Sequence, residues 1–427
     1  MKLGTAILIG AAALALIACK GGHNSDSATS AAGSNVIATA AGNVATITVN
    51  AGPGPNTNVN ALYTSVKICA PGSTTNCQTI DNIAVDTGSS GLRIIASVLA
   101  PTLAAALPPQ VDANNNTIFE CAEFADGYAW GPTAVADMTI SDEVAASLPI
   151  QIIGSTQYPS PPATANCLGA GPAITTVANL GANGTIGLSV FAQDCGSACA
   201  ESLTFNAGFY FACSAGVPAG CSVTTVPLTN FPGPEQLQNP VTLFPTDNAG
   251  VIIELPTVAA TGAGATTGAL VFGIDTQTNN ASSSVTTVLT LDPIHGYVST
   301  TLNNTAYPNS FFDTGSNALY FDASSSEPTL TLCADKPNTA YYCPSSTESF
   351  SAVVLSTSAV PINIPFTVGS ADTLLAAGGS LFAFSNLAGT TPGGVFDWGM
   401  PFFYGRNVYF AIQGKATALA EGPYLAF

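Results

Sequence analysis

Val85-Asp86-Thr87-Gly88-Ser89-Ser90 and Phe312-Asp313-Thr314-Gly315-Ser316-Asn317 are two copies of one motif. Each aspartate follows apolar residues, and the copies stand 227 residues apart (313 − 86). The match runs further: residues 82–94 read N-I-A-V-D-T-G-S-S-G-L-R-I and residues 309–321 read N-S-F-F-D-T-G-S-N-A-L-Y-F. Six of these 13 aligned positions are identical, namely the Asn, Asp, Thr, Gly, Ser and Leu. A single Asp-Thr-Gly is ordinary turn material. Two in matched contexts are how one chain delivers a pair of like carboxylates to one site from two similar halves.

Outward from the motifs the chain reads as β-structure. Val44 to Val49, Leu62 to Ile68 and Met138 to Ile140 alternate apolar and polar residues. Ile150 to Ile153, Ala269 to Ile274, Val285 to Leu291 and Val408 to Ile412 also read as strands. Long amphipathic helices are absent from the pattern. The short helical candidates are Leu99 to Leu107, which Pro101 interrupts, and Thr373 to Ala377, with Asp372 as N-cap. An all-β architecture follows. Phe231 to Asn239, F-P-G-P-E-Q-L-Q-N, has the composition of a linker between the Asp motifs. It divides an N-terminal lobe over 43–235 from a C-terminal lobe over 236–427.

Charged residues are only 7% of the chain, and seven Lys and Arg against 25 Asp and Glu leave a net charge of −18. No basic patch exists to neutralise phosphates, which excludes nucleic acid as a partner. For the same reason, basic clusters cannot hold the chain on an anionic membrane. The N-terminus reads as a targeting segment: Lys2, then an apolar run from Ile7 to Ala18. Leu16-Ile17-Ala18-Cys19 resembles a bacterial lipobox, in which cleavage leaves Cys19 lipidated; the alternative is an ordinary signal peptide with an incidental Cys. Residues 1–19 are thus a lipoprotein signal peptide and 20–42 a flexible tether. Lys20 follows Cys19, which by resemblance to Gram-negative lipoproteins favours the outer membrane. The expectation is an exported bacterial lipoprotein, monomeric, touching the membrane through its lipid alone.

Cys19 aside, ten cysteines remain, an even number in an exported chain. Close spacing suggests Cys69–Cys77, Cys195–Cys199, Cys213–Cys221 and Cys333–Cys343, leaving Cys121 and Cys167 for each other. Spacing alone leaves other connectivities open. A metal site is disfavoured because there are two His, one of them His23 in the tether. No metal or cofactor is expected. His295 stands alone in D-P-I-H-G, which argues against a serine hydrolase.

With these motifs the chain resembles a bilobal pepsin-like aspartic peptidase, and more narrowly a group of bacterial exported lipoproteins with the same paired D-T-G-S motifs. In such lobes an apolar-Gly segment packs behind each Asp loop. Asn183-Gly184-Thr185-Ile186-Gly187-Leu188 and Phe396-Asp397-Trp398-Gly399-Met400-Pro401 resemble it, at motif-to-Gly intervals of 101 (187 − 86) and 86 (399 − 313). Residues 269–275, A-L-V-F-G-I-D, resemble the opening strand of the second lobe. The resemblance covers about Asn43 to Phe427. It implies a pepsin-like fold with a cleft between two β-barrel-like lobes, and Asp86 and Asp313 as catalytic residues on a peptide or protein substrate. Thr87 and Thr314 would brace the loops, Gly88 and Gly315 allow tight turns, and Ser89 and Ser316 bond the outer carboxylate oxygens. Zymogens of the family carry a basic propeptide. The tether's single Lys20 makes a self-blocking one unexpected.

The lid of the cleft is expected from Cys121 to Ile140, with Tyr128 and Trp130 on the substrate face and Asp126-Gly127 in the turn. Both rings packing into the first lobe is the alternative. The first loop departs from the family pattern by continuing Gly91-Leu92-Arg93, without the aromatic that commonly follows, and Arg93 is one of the chain's few cations. Near Asp86 it would lower a carboxylate pKa; otherwise it is a solvated strand-end charge. The competing function is a catalytically silent pepsin-fold lipoprotein that binds peptides or a surface partner. Two intact aspartate loops favour the peptidase.

Overall fold

A computed structural model describes residues 35–54, 58–156, 159–163, 165–201, 209–214, 220–230, 232–323, 330–334, 337–358, 360–376, 379–391 and 394–427. The expected leader with Cys19, and most of the tether, lie outside them. The tether's end is docked on the fold. Asn35 donates to the Leu255 carbonyl at 2.9 Å and the Ala38 N–H donates to Glu254 at 2.6 Å.

Strands form where alternation and β-branching call for them. Val44–Val49 buries Ile47 and Val49 and exposes Thr46. Leu62–Cys69, Thr266–Phe272 and Arg406–Ala411 fall within a few residues of expectation. Met138 to Ile140 proves to be the end of a longer strand, Gly127–Ile140, which pairs in a hairpin with Glu143–Ile153. Val285 to Leu291 shortens to Val288–Thr290, because Ser282–Ser284 coils where Ser282 bonds Asp275. Pro101 opens a helical turn, Pro101–Ala104, instead of interrupting one. The first helical position needs no N–H, and the fixed φ of proline suits it. The second short helix is Ala371–Leu375 with Ser370 as N-cap. Asp372 lies inside its first turn and accepts a bond from Asn338. Ala377 lies outside the described residues.

The protein is all-β, its described strands falling into two sheets. A fifteen-stranded sheet takes ten strands from the first half and five from the second. They join where Val44–Val49 pairs antiparallel with Thr266–Phe272, from Val44↔Val271 to Val49↔Thr266. A seven-stranded sheet belongs wholly to the second half. By contacts Ser34–Phe427 is one unit, since the larger sheet crosses residue 235. The stretch expected as a linker is well anchored: Gln236, Leu237, Gln238 and Asn239 are buried, and Gln236 donates to the Gly196 and Val226 carbonyls. Phe231 lies outside the described residues. No helix among the described residues is long and apolar enough to cross a membrane.

Each half contains the same crossing. Cys77–Asp86 runs parallel to Gly184–Leu188, with Asp86 opposite Gly187. Gly184–Leu188 also pairs antiparallel with Ser90–Ile95. In the second half Thr305–Phe312 lies parallel to Phe396–Trp398, which pairs antiparallel with Leu319–Phe321. The strands flanking each Asp loop are therefore held apart by an inserted third strand, and the loop stays open at its mouth. Apolar side chains hold the crossing: Ile83, Leu92 and Ile186 in the first half, Phe321, Phe396 and Trp398 in the second, all fully buried. Burial of each contributes about 1.5–3 kcal/mol.

The five disulfides are Cys69–Cys77, Cys121–Cys167, Cys195–Cys199, Cys213–Cys221 and Cys333–Cys343. Two close hairpins across directly paired residues, Cys69↔Cys77 and Cys213↔Cys221. Cys121–Cys167 spans 46 residues, so it restricts the unfolded chain most. Replacing both of its cysteines with serine is expected to cost about 2–4 kcal/mol, read from denaturant melts. Mass mapping of the unreduced protein should find none of the ten thiols free. Cys333, Cys343 and Asp372 cluster closely enough for a metal, but the two sulfurs are bonded to each other.

Candidate active site

Asp86 ends the strand Cys77–Asp86, and Asp313 directly follows the strand Thr305–Phe312. The repeated crossing thus presents one carboxyl from each half at their junction. The Gly88 N–H donates to Asp86 Oδ1 at 2.8 Å and to Asp313 Oδ1 at 3.1 Å. One donor serving both oxygens fixes them side by side. Gly315 N–H donates to Asp313 Oδ1 at 2.7 Å. The outer oxygens take serine hydroxyls: Ser89 to Asp86 Oδ2 at 2.6 Å and Ser316 to Asp313 Oδ2 at 3.0 Å. Neither Gly88 nor Gly315 has a positive φ. Their need is for room. A Cβ on Gly88 would lie 2.9 Å from Asp313 Cγ, and one on Gly315 would lie 3.0 Å from Asp86 Oδ1.

Thr87 and Thr314 tie the loops together beneath the carboxyls. Thr87 N–H donates to Thr314 Oγ1 at 3.1 Å, and Thr314 N–H donates to Thr87 Oγ1 at 3.0 Å. Each hydroxyl then donates to the opposite strand, Thr314 to the Val85 carbonyl at 2.7 Å and Thr87 to that of Phe312 at 3.4 Å. The hydroxyls both accept and donate, so these buried backbone groups stay satisfied. Burial, then the Asp86 and Asp397 carboxylates, push the Asp313 carboxyl well above the usual carboxylate range, against the opposing Gly315 N–H.

A family model described as "Protein of unknown function (DUF3443)" matches residues 39–427. The chain belongs to this family. No curated protein sequence matches it. Among solved structures, this DUF3443 chain is similar to the aspartic proteinase from Irpex lacteus. That match has a TM-score of 0.43 and 13% identity, covering 90% of this chain and 96% of the other. The chemistry of the DUF3443 site is read from its own residues.

Two cavities touch the aspartate loops, one of them lined by the dyad itself. One, of about 330 Å³, is lined by Asp86 and Asp313 together with Glu123, Phe124, Phe191, His295, Tyr297 and Phe311. The other, of about 560 Å³, reaches Thr314, Gly315, Asn317 and Tyr341. The expected substrate-facing rings are in neither. Tyr128 and Trp130 share a separate apolar cluster with Phe119, Cys121, Cys167 and Phe211. Trp130 stacks on Phe119 at 5.0 Å and meets Phe211 edge-on at 5.5 Å. Alternation did put both rings on one face, but the Cys121–Cys167 link and the strand Tyr210–Cys213 cover that face. The hairpin tip offers Glu123, Phe124 and Ala125 to the cleft. Tyr128→Ala is therefore expected to cost about 3–5 kcal/mol of stability, the range for aromatic truncation in a core, with little change in turnover by the folded fraction.

Arg93 is neither solvated nor beside Asp86. It is 1% exposed and pairs with Glu120 and, at 3.4 Å, with Asp194. Its Nη1 donates to the Ser90 carbonyl, and its guanidinium sits 5.7 Å from the Phe124 ring centroid. Tyr210 donates to Asp194 in turn. His295 is exposed, bonded to Asp292 at 3.2 Å and stacked on Tyr297. Asp397 escaped the sequence reading. It lies 6% exposed behind the dyad, and burial, then the Asp86 charge, push its carboxyl up to about 7, opposed by Ser316. Its one signal was an acid inside the apolar run Phe396-Asp397-Trp398.

Proposed function

We propose that the protein is an aspartic-type endopeptidase. The observation that carries this reading is the Gly88 N–H bonded to Oδ1 of both Asp86 and Asp313. It sets two inner oxygens, from two halves of the chain, around one point where a water and a carbonyl can meet. One carboxylate takes a proton from the water, whose oxygen bonds to the carbonyl carbon. The carboxyl that holds the shared proton gives it to the carbonyl oxygen. The resulting gem-diol collapses as its amide nitrogen takes a proton from one carboxyl, the C–N bond breaks, and one of its hydroxyls returns a proton to the other carboxylate, which restores the singly protonated dyad. No covalent enzyme intermediate forms. The substrate is an extended peptide along the two cavities, and the protein acts from an exported, Cys19-lipidated position at the outer membrane. The test is incubation of purified protein with an unstructured protein across acid to neutral pH, with fragments read by mass spectrometry. Peptide binding without cleavage at any pH would replace this reading with that of a silent binding protein.

A further inference from the structure

The second half holds a cavity of about 370 Å³ that shares no lining residue with the two at the aspartate loops. Its size falls in the range of about 300–1,000 Å³ that small-molecule sites occupy. It lies where the hairpin of strands Glu348–Leu355 and Pro361–Val368 faces the turn that leads into Arg406–Ala411. Phe350 stands opposite Phe366 in that hairpin, their rings stacked at 5.3 Å. Phe366 meets Trp398 edge-on at 5.6 Å, and Trp398 meets Phe402 edge-on at 5.8 Å. These rings make one continuous apolar wall. The wall ends at Arg406, whose guanidinium sits 4.6 Å from the Phe402 ring centroid.

Arg406 is the one charged residue lining this cavity among the described residues. A guanidinium has five N–H groups to donate. One of the Arg406 nitrogens donates to the Phe402 carbonyl. No carboxylate among the described residues pairs with it. That is unusual in a chain with 25 acidic residues and seven basic ones. The chain's other arginine, Arg93, has both Glu120 and Asp194. The half-buried guanidinium of Arg406 has a ring, a carbonyl and the cavity.

The two features call for one kind of molecule. A bare inorganic anion would satisfy the cation and leave the rings wet. A hydrocarbon would fill the rings and cover the cation without a partner, which is costly. An apolar body that ends in a carboxylate does both, and a carboxylate matches the guanidinium fork in plane and spacing. We propose that this cavity binds a small monocarboxylic acid with an apolar body, its carboxylate on Arg406 and its body along Phe402, Trp398 and Phe366. The dyad plays no part in this site, so the inference does not rest on the peptidase reading.

Titration of the purified protein with dodecanoate, kept below its micelle concentration, tests this by calorimetry and tryptophan emission. Emission is informative because Trp398 lines the cavity, while Trp130, the chain's other tryptophan, packs in a different cluster. Dodecanoate should bind and shift the emission. Arg406→Gln should weaken it about 10-fold or more, the usual effect of losing a hydrogen-bonded charge, while the neutral dodecanol should bind both proteins alike. Arg406→Lys keeps the charge without the fork and should fall between, which decides the matter if the glutamine variant folds poorly. Ser349→Phe places a ring at the exposed rim of the cavity and should block the acid without lowering the melting temperature. Phenylbutyrate, run in parallel, assigns the body as alkyl or aryl by which acid binds more tightly, and either result supports the site. The proposal is overturned if neither acid binds at millimolar concentration, if both Arg406 variants bind dodecanoate as wild type does, or if Ser349→Phe leaves binding unmoved. Asp313→Asn should bind the acids unchanged, so binding here and cleavage at the dyad stand or fall separately.

Discussion

Asp86→Asn and Asp313→Asn, made singly, should each lower peptide-bond cleavage by about 10²–10⁴-fold or more, because each removes one partner of a two-carboxyl proton exchange. Folding should survive, since asparagine keeps the shape that Gly88, Gly315 and the two serines enclose. Asp313→Asn should even stabilise the protein at neutral pH. The Asp313 carboxyl is held well above its ordinary range by burial, then by Asp86 and Asp397. The folded state then binds more protons than the unfolded state between the two pKa values, and stability falls as pH rises through that window. The amide escapes this penalty, so its advantage should vanish below the ordinary carboxylate range near pH 4. Wild-type cleavage should likewise fall as pH rises and the dyad loses its last proton. Either variant turning over like wild type, in purified form, would sink the assignment.

Arg93→Met should lower unfolding free energy by about 3–5 kcal/mol, the usual result of removing one partner from a buried ion pair. Arg93 and Glu120 are 1% and 0% exposed, and Asp194 is 3%. Without the guanidinium, two carboxyls would share a dry site, with the Tyr210 hydroxyl donating to Asp194. Burial, then Glu120, already raises the Asp194 carboxyl well above its usual range while Arg93 opposes. The loss should therefore be smaller in acid, where the pair can take up protons, and grow toward neutral pH. Melts at two pH values check this, and an equal loss at both would refute the electrostatic account. Glu120 lies on the strand Thr117–Phe124, whose end brings Glu123 and Phe124 to the cavity at the dyad, so turnover should also suffer. Replacing all three charged residues with apolar ones of similar size should recover much of the stability.

What could be read from the chain was local or repeated. The matched aspartate motifs announced two halves and one dyad because the motif is a contiguous turn whose backbone serves its own carboxylate, as Gly88 serves Asp86 and Gly315 serves Asp313. Alternation found strands such as Val44–Val49, since period two reflects one covered face. Four of the five disulfides close short loops, so proximity in sequence was proximity in space.

Tertiary structure alone decided which side of a strand meets what. Tyr128 and Trp130 share a face in any strand, but whether that face looks into the cleft depends on residues 167 and 210–213 covering it. Arg93 and Asp397 are opposite charges at matching depth in the two crossings, each a single letter in an apolar run. One became the centre of a buried ion network because Glu120 and Asp194 arrive from distant strands and loops. The other became a third carboxyl behind the dyad because an inserted strand carries it there. Burial of a charge is tolerable only with specific partners. Those partners are set by strand register and crossing, which no local pattern encodes.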